Sequence, residues 1–459
     1  MFNKNFLIIV VGQIVSLFGS TIQRFCMSLY LLEFTGSTAT FANILAISTL
    51  PYILFAPIAG QLSDRVNRKK IMVYLDFICA VVIGIYAMIL FQGKDHTMIV
   101  GIVMFLLSIA ATLYGPAVTA SIPQIVDEDH LTSANGIVNQ VGSIVNFAGP
   151  IIAGILYGLV GIKAIVAINA VSFFISAIME LFLDIPDVQS SEHIVVNEES
   201  YKISEQIGII QEENRDKMQH NEESFMITEG VIKSHRVIAK RKKGFSVFSF
   251  VKTSFVDMKE NFIYLKREKK VVLGIIASYA ICNIFLVPIL SIVAPYFINV
   301  KLGLPSQIYG IVEGICVLGM ILGGMLISVK PKLFTIKKVY QTYFPMIGGV
   351  LLLSAVGFMK QNAYMLAFLF GIGGMAIMFS IALSNVLTLT FIQKEVPAEM
   401  LGRVSAFSTA IATISVAPGQ LLYGQVIDMG IPMGIILLAT AVANLGLILF
   451  IKWNVRNVA

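Results

Sequence analysis

The sequence predicts an all-α membrane protein with twelve transmembrane helices in two pseudo-symmetric bundles of six. Three observations carry this reading. The 459-residue chain is 57% hydrophobic and only 13% charged, against about 25% charged residues in a typical soluble domain, so lipid is its main solvent. Twelve apolar segments reach spanning length, at roughly 6–34, 39–60, 71–92, 97–121, 136–160, 163–183, 271–298, 305–329, 338–359, 363–391, 403–427 and 431–452; about 20 residues suffice for a helix to cross a bilayer. One long hydrophilic stretch, about 184–270, divides them six and six. Backbone groups in hydrocarbon must be satisfied internally, so helices are the form expected of segments this long.

Taking the segments in order, the first follows a single lysine, Lys4, without a small-residue cleavage site, and reads as a retained helix. The second and third are joined by GQLSDRVNRKK, residues 60–70, a short hairpin holding one acid and four cations. Lysine and arginine orient the chain. With the N-terminus cytoplasmic, the inner segments hold 28 of the 33 basic residues, and the outer loops hold only Lys94, Lys163, Lys301 and Lys360. The short inner loops alone favour the same topology, through Arg65, Arg68, Lys69 and Lys70, then Lys330, Lys332, Lys337 and Lys338, then Lys394 and Arg403. Both termini are therefore expected in the cytoplasm of a cell whose inner (plasma) membrane the chain spans several times.

The chain divides into a first bundle (1–184), a cytoplasmic linker (185–253), an amphipathic interfacial helix (254–270) and a second bundle (271–459). The linker is first acidic and then basic, with KRKK at 240–243, and its composition is that of a largely disordered segment. Its basic part suits anionic headgroups, or simply flanks the membrane as a solvated positive-inside segment. Phe255, Met258, Phe262 and Leu265 fall at helical spacing, as in a helix lying on the inner face. Pro150 and Pro418 occupy like positions in the fifth and eleventh segments, a weak internal repeat.

The 60–70 hairpin resembles the signature loop of the major facilitator superfamily. Gly60, Leu62, Asp64, Arg65, Arg68, Lys69 and Lys70 match; Asn67 stands where that family usually has glycine. GQIVSLFGS (12–20), YGPAVTASIPQIV with LTSAN (114–135), GPIIAG (149–154), YGIVEG (309–314) and VPAEMLGRVSA (396–406) extend the likeness toward the macrolide-efflux and enterobactin-exporter-like branch. The resemblance implies the major facilitator fold and alternating access. It implies that Asp64 latches the two halves near the start of the eleventh helix, where Gly402 and Arg403 lie and N-terminal amides offer partial positive charge. Its cations would face headgroups. Gly149, Pro150 and Gly154 match the glycine-proline motif of antiporters, with Ala153 in place of a second glycine; ordinary kinked packing is the alternative.

Charges within the spans are costly, about 2.5–3.5 kcal/mol each on insertion scales, and so are functional candidates. Arg24 lies deep in the first segment and Glu313 in the eighth. Desolvation favours the neutral form of a carboxyl, which suits Glu313 to exchange protons while sensing Arg24 or a cationic substrate; a static ion pair is the alternative. Asp76 reads as a structural charge that helps hold the 60–70 loop. Glu33 and Glu180 lie close enough to helix ends to reach water. Gln13, Ser16, Ser20, Arg24 and Ser28 share one face. With Asn139, Asn146, Asn385 and Thr409 they are candidates for a polar cavity wall, as are Ser380, Ser384, Thr388 and Gln420. Interhelical hydrogen bonding is the plainer use of the neutral ones.

Cys26, Cys79, Cys282 and Cys316 sit in apolar runs without CxxC spacing, and the five histidines are scattered, so no metal site is expected. No Walker loop, HExxH or GxSxG pattern occurs, which argues against ATP use and against an enzyme, and no cofactor or nucleic acid is called for. The expected activity is proton-coupled export of a hydrophobic or amphiphilic small molecule, drug-like, macrolide-like or siderophore-like, by a monomer. Metabolite uptake, or a non-transporting sensor or scaffold using the central loop, are the alternatives.

Overall fold

The computed structural model describes residues 4–55, 58–59, 62–63, 66–127, 130–185, 262–330 and 336–456. Most of the linker and the first residues of the interfacial helix lie outside this set. Helix α1 runs Lys4–Thr35, α2 Thr38–Leu54, α3 Arg68–Phe91 and α4 Thr97–Ile125. The next, α5, is continuous by its hydrogen bonds over 51 residues, Leu131–Leu181, but Gly161 at φ 70° breaks it into the two segments predicted separately. Only glycine takes that conformation without a Cβ penalty. In the second bundle α6 runs Lys270–Pro288, α7 Ser306–Val329, α8 Phe344–Phe358, α9 Ala363–Glu395, α10 Ala398–Ile414, α11 Val416–Asp428 and α12 Met433–Asn454.

Ten helical stretches among the described residues are long and apolar enough to cross a membrane, the one at 140–181 containing both segments around Gly161. The second predicted segment is present as α2, 17 residues long, beside residues that are not described. Of the predicted interfacial helix, residues 262–268 are helical, with Leu265 fully buried and Phe262 exposed.

Prolines set the departures from straight helices. The predicted eleventh segment is two helices, divided at Ser415, because Pro418 offers no N–H to the turn before it. After Pro288 and Pro295 the seventh segment widens into π turns, Ile289–Val293 and Tyr296–Lys301. Ser37, Asn67, His96 and Asn362 cap their helices through their side chains.

Left-handed glycines close several turns at the end of the bundles opposite residues 60–70. Gly36 and Gly303 occupy like places in the two halves, as do Gly161 and Gly430. Their spacing nearly repeats that of Pro150 and Pro418, which strengthens the two-fold pattern faint in the sequence. Large apolar side chains such as Leu7, Tyr74 and Val442 stand more than 60% exposed on helix surfaces. In a water-soluble protein that surface would be a liability; against lipid it is the ordinary exterior.

Candidate functional site

The two halves meet at the end opposite residues 60–70. Asp428, the last residue of α11, accepts three hydrogen bonds from the start of α2: Ser37 Oγ at 2.7 Å, Thr38 N at 2.9 Å and Ala39 N at 3.0 Å. The first N–H groups of a helix have no intrahelical partner and carry partial positive charge, so a carboxylate from the other half caps them. One turn along, a Cβ on Gly424 would collide with Ala42 Cβ and lie 2.9 Å from Thr38 O.

A second seam joins α5 to α7. A Cβ on Gly154 would stand 2.6 Å from Ser306 O, and one on Gly310 would stand 2.5 Å from Pro150 O. Ser306 Oγ donates to Gly154 O at 3.2 Å. Only paired glycines let two backbones approach this closely. Gly149 turns instead toward α1, its Cβ position 2.7 Å from Thr21 Cγ2. The GPIIAG motif therefore packs α5 against α1 on one side and α7 on the other.

Further in from that closed end lie the two charges singled out from the sequence. Phe25 and Tyr309 stack across the halves with centroids 4.8 Å apart. The charge of Arg24 reaches Glu313, and the Tyr309 hydroxyl interacts with the same carboxyl. Glu313 Oε2 is buried without a hydrogen-bond partner, while Arg24 is exposed. Arg24 and Glu313 are thus electrostatic neighbours and not a closed ion pair; among the described residues the ion pair is Lys269–Glu395, at 3.1 Å.

The remaining polar candidates divide. Asn146, Asn385 and Thr409 are exposed within their helices, and Ser20 is half-buried. Gln13 and Ser16 are buried inside the first bundle and do not join that open face. Ser384 Oγ meets Thr342 Oγ1 at 2.8 Å and Ser380 also bonds Thr342, while Gln420 reaches Ser291 Oγ at 3.3 Å. These serve interhelical packing. Asn139 and Arg403 lie on helices whose side chains at those positions are outside the description, and so do Gly60, Asp64 and Arg65 altogether.

At the 60–70 end, Arg68 does not extend toward headgroups. Its Nε donates to Ser63 O at 3.0 Å and its Nη1 to Ala120 O at 2.9 Å, tying the loop to α4. Lys70 is exposed. Asn67 adopts φ −54° and its Oδ1 accepts from Lys70 N at 3.3 Å. A helix cap thus replaces the family's glycine without a left-handed backbone.

Glu180 does not reach water. It is 1% exposed and accepts the Tyr114 O–H at 2.6 Å. Asp76, 2% exposed, lies beside Ser176 and within electrostatic reach of Glu180; among the described residues these partners are on α5. Sequence reasoning missed this pairing, although two acids on neighbouring apolar helices were a visible signal. Among the described residues no group of three or more His, Cys, Asp or Glu side chains is placed to hold a metal ion.

Comparison with known proteins places this geometry. Macrolide efflux protein A of Streptococcus pyogenes is 34% identical over 175 residues, covering 38% of this chain and 43% of that protein. The protein of the same name from Enterococcus faecalis is 34% identical over 148 residues, 32% of this chain and 46% of that one. The matched region thus spans less than half the length of these relatives. Among solved structures, a variant of the nucleoside transporter NupG aligns with a TM-score of 0.70 at 13% identity, covering 98% of this chain and 100% of that one. A bacterial homologue of ferroportin in an inward-facing state gives 0.64 at 14% identity, covering 98% of each. At such identities the likeness is one of fold. The sequence profile described as Major Facilitator Superfamily matches residues 9–420, and this multi-pass membrane protein belongs to that superfamily.

Proposed function

We propose that this protein exports a hydrophobic or amphiphilic small molecule from the cytoplasm in exchange for protons, by alternating access. The observation that carries the reading is the Arg24–Tyr309–Glu313 cluster, assembled from both halves beneath a closed end. A carboxyl with one oxygen buried and unpartnered gains a donor when protonated, and a cation from the opposite half responds to that change. An intramembrane acid in such a place is a coupling candidate by default. Asn146, Asn385 and Thr409, exposed on helices from both halves, fit the wall of the substrate cavity.

The direction is supported by the partial likeness to macrolide efflux proteins and by the GPIIAG seam between α5 and α7. The concentration of lysine and arginine at the 60–70 end favours that end as cytoplasmic, with both termini inside. The closed end is then the outer one, and the conformation is inward-facing. Asp64, with Gly60, Arg65, Arg403, Lys69 and Lys70, retains its reading as the inner latch for the outward-facing state.

The test is substrate-driven proton movement in reconstituted vesicles. Glu313→Gln is expected to lower it at least about tenfold, the effect of removing roughly 1.4 kcal/mol or more of coupling, with substrate binding retained. Unchanged coupling would remove Glu313 as the carrier. Uptake, in place of efflux, by right-side-out cells would reverse the direction assigned here.

A further inference from the structure

We propose that Asp76 and Glu180 form a second proton-binding site, enclosed within the first bundle and separate from Glu313. Four helices build it. Asp76 comes from α3, Tyr114 from α4, Ser176 and Glu180 from the second arm of α5, and α1 covers it, with the Cβ position of Gly12 3.8 Å from Ser176 Oγ. Both carboxyls are almost wholly buried, and Ser176 is fully so.

The hydrogen-bond inventory is unbalanced in one direction. Glu180 Oε1 accepts from Tyr114. Among the described residues, Glu180 Oε2 and Asp76 Oδ2 accept no hydrogen bond, and the Ser176 hydroxyl lies beside Asp76 without a close partner. Buried oxygens of this kind are normally paired; the Ser176 hydroxyl can donate to Asp76, which leaves two carboxyl oxygens facing one donor and Glu180 Oε2 short of one.

The charge inventory points the same way. Among the described residues, the titratable groups that act on the pair are Tyr114 and Cys79, and neither is a cation. Gln13 and Ser16, buried on α1, are neutral. Neither carboxyl has an ion pair with a base among the described residues. Two desolvated carboxylates within reach of each other and without a counter-charge do not both stay ionised. One proton, bound to either carboxyl and donated toward the other or toward Ser176, removes one charge and supplies the missing donor together. The pair then holds a single negative charge, stabilised by the Tyr114 hydroxyl.

Access is short. Glu180 is one residue from the end of α5, followed by exposed Phe182 and Asp184, so the proton comes from water at the 60–70 end. Tyr114 lies on the helix that Arg68 holds at Ala120, which gives the site a route to the loop.

Infrared difference spectroscopy of the full-length protein in lipid vesicles tests this, with pH and sodium chloride as the only variables. The Glu313→Gln protein is expected to keep a protonated-carboxyl C=O band at neutral pH, slow to exchange with deuterium. Asp76→Asn and Glu180→Gln are expected to abolish that band, with helix content and thermal unfolding unchanged. Absence of the band from Glu313→Gln protein overturns the proposal even if the other variants fail to fold. Its disappearance on adding sodium at constant pH also overturns it, by assigning the site to a metal cation. Because the readout is proton occupancy and not transport, it stands apart from whether Glu313 couples export.

Discussion

Single side chains hold the two ends of this molecule in different ways. At the closed end Asp428 serves two roles at once, capping α2 and bridging the halves, because its two oxygens accept three donors. Asp428→Asn keeps the shape but removes the charge and one acceptor. A helix cap is worth about 0.5–2 kcal/mol, and since Asp428 is exposed the lower half of that range applies. The open-outward population is therefore expected to rise roughly two- to eightfold, measurable as a change in spin-label distance distributions across the closed end. An unchanged distribution would make the cap incidental. At the other end Arg68 uses two nitrogens on two carbonyls, one in the loop and one on α4. Lysine offers a point charge and no fork, so Arg68→Lys is expected to cost on the order of 1 kcal/mol, seen as a lower unfolding temperature. If charge alone mattered, lysine would be neutral.

Between elements, the decisive contact is backbone against backbone. Gly154 and Gly310 let α5 and α7 approach until carbonyl oxygens occupy the space a side chain would need. Gly154→Leu cannot be absorbed by a rotamer change, because what it meets is the Ser306 carbonyl. The expected result is a protein that folds and inserts but no longer seals at that end, with vesicle transport lost and a cysteine placed near Gln307 labelled faster. Retained transport would reduce the seam to ordinary packing. This scale is also where the sequence was most and least legible. Apolar length alone located the spans, since lipid demands it. The prolines at 288 and 418 were visible, but whether each would bend, split or widen its helix was not, because that also depends on what packs alongside, as where Gly419 lets the Ile284 carbonyl into the space a side chain would take. The cost of charge in lipid picked out Arg24 and Glu313. The same rule underrated Glu180, whose place near a helix end suggested water. Its burial comes from Tyr114, 66 residues away in the chain, and distance in sequence hid that. Ser380 and Ser384 were misleading for the same reason: their partner, Thr342, lies on another element.

For the whole molecule, the two seams set what the proposed alternating-access cycle requires. The α2–α11 and α5–α7 contacts lie at one end, so a substrate bound near Arg24 and Glu313 leaves there only if both seams part. A short cross-link across the first seam should therefore stop turnover without touching the cavity. Ser37 and Asp428 are suited to it, their side chains being 2.7 Å apart and exposed or nearly so. The four native cysteines, all buried, leave reagents few competing thiols. The double variant Ser37→Cys with Asp428→Cys is expected to transport slowly when reduced, for want of the cap. Bridged by a short bis-methanethiosulfonate, each thiolate displacing a sulfinate to form a disulfide, it should not transport at all, and reductive cleavage of the bridge should restore the reduced rate. Substrate should still bind to the bridged protein from the 60–70 end, because locking one seam shut favours the conformation already open there. A bridged protein that transports as fast as the reduced one would mean that the closed end need not open, and rocking of two halves about a central cavity would no longer describe this transporter.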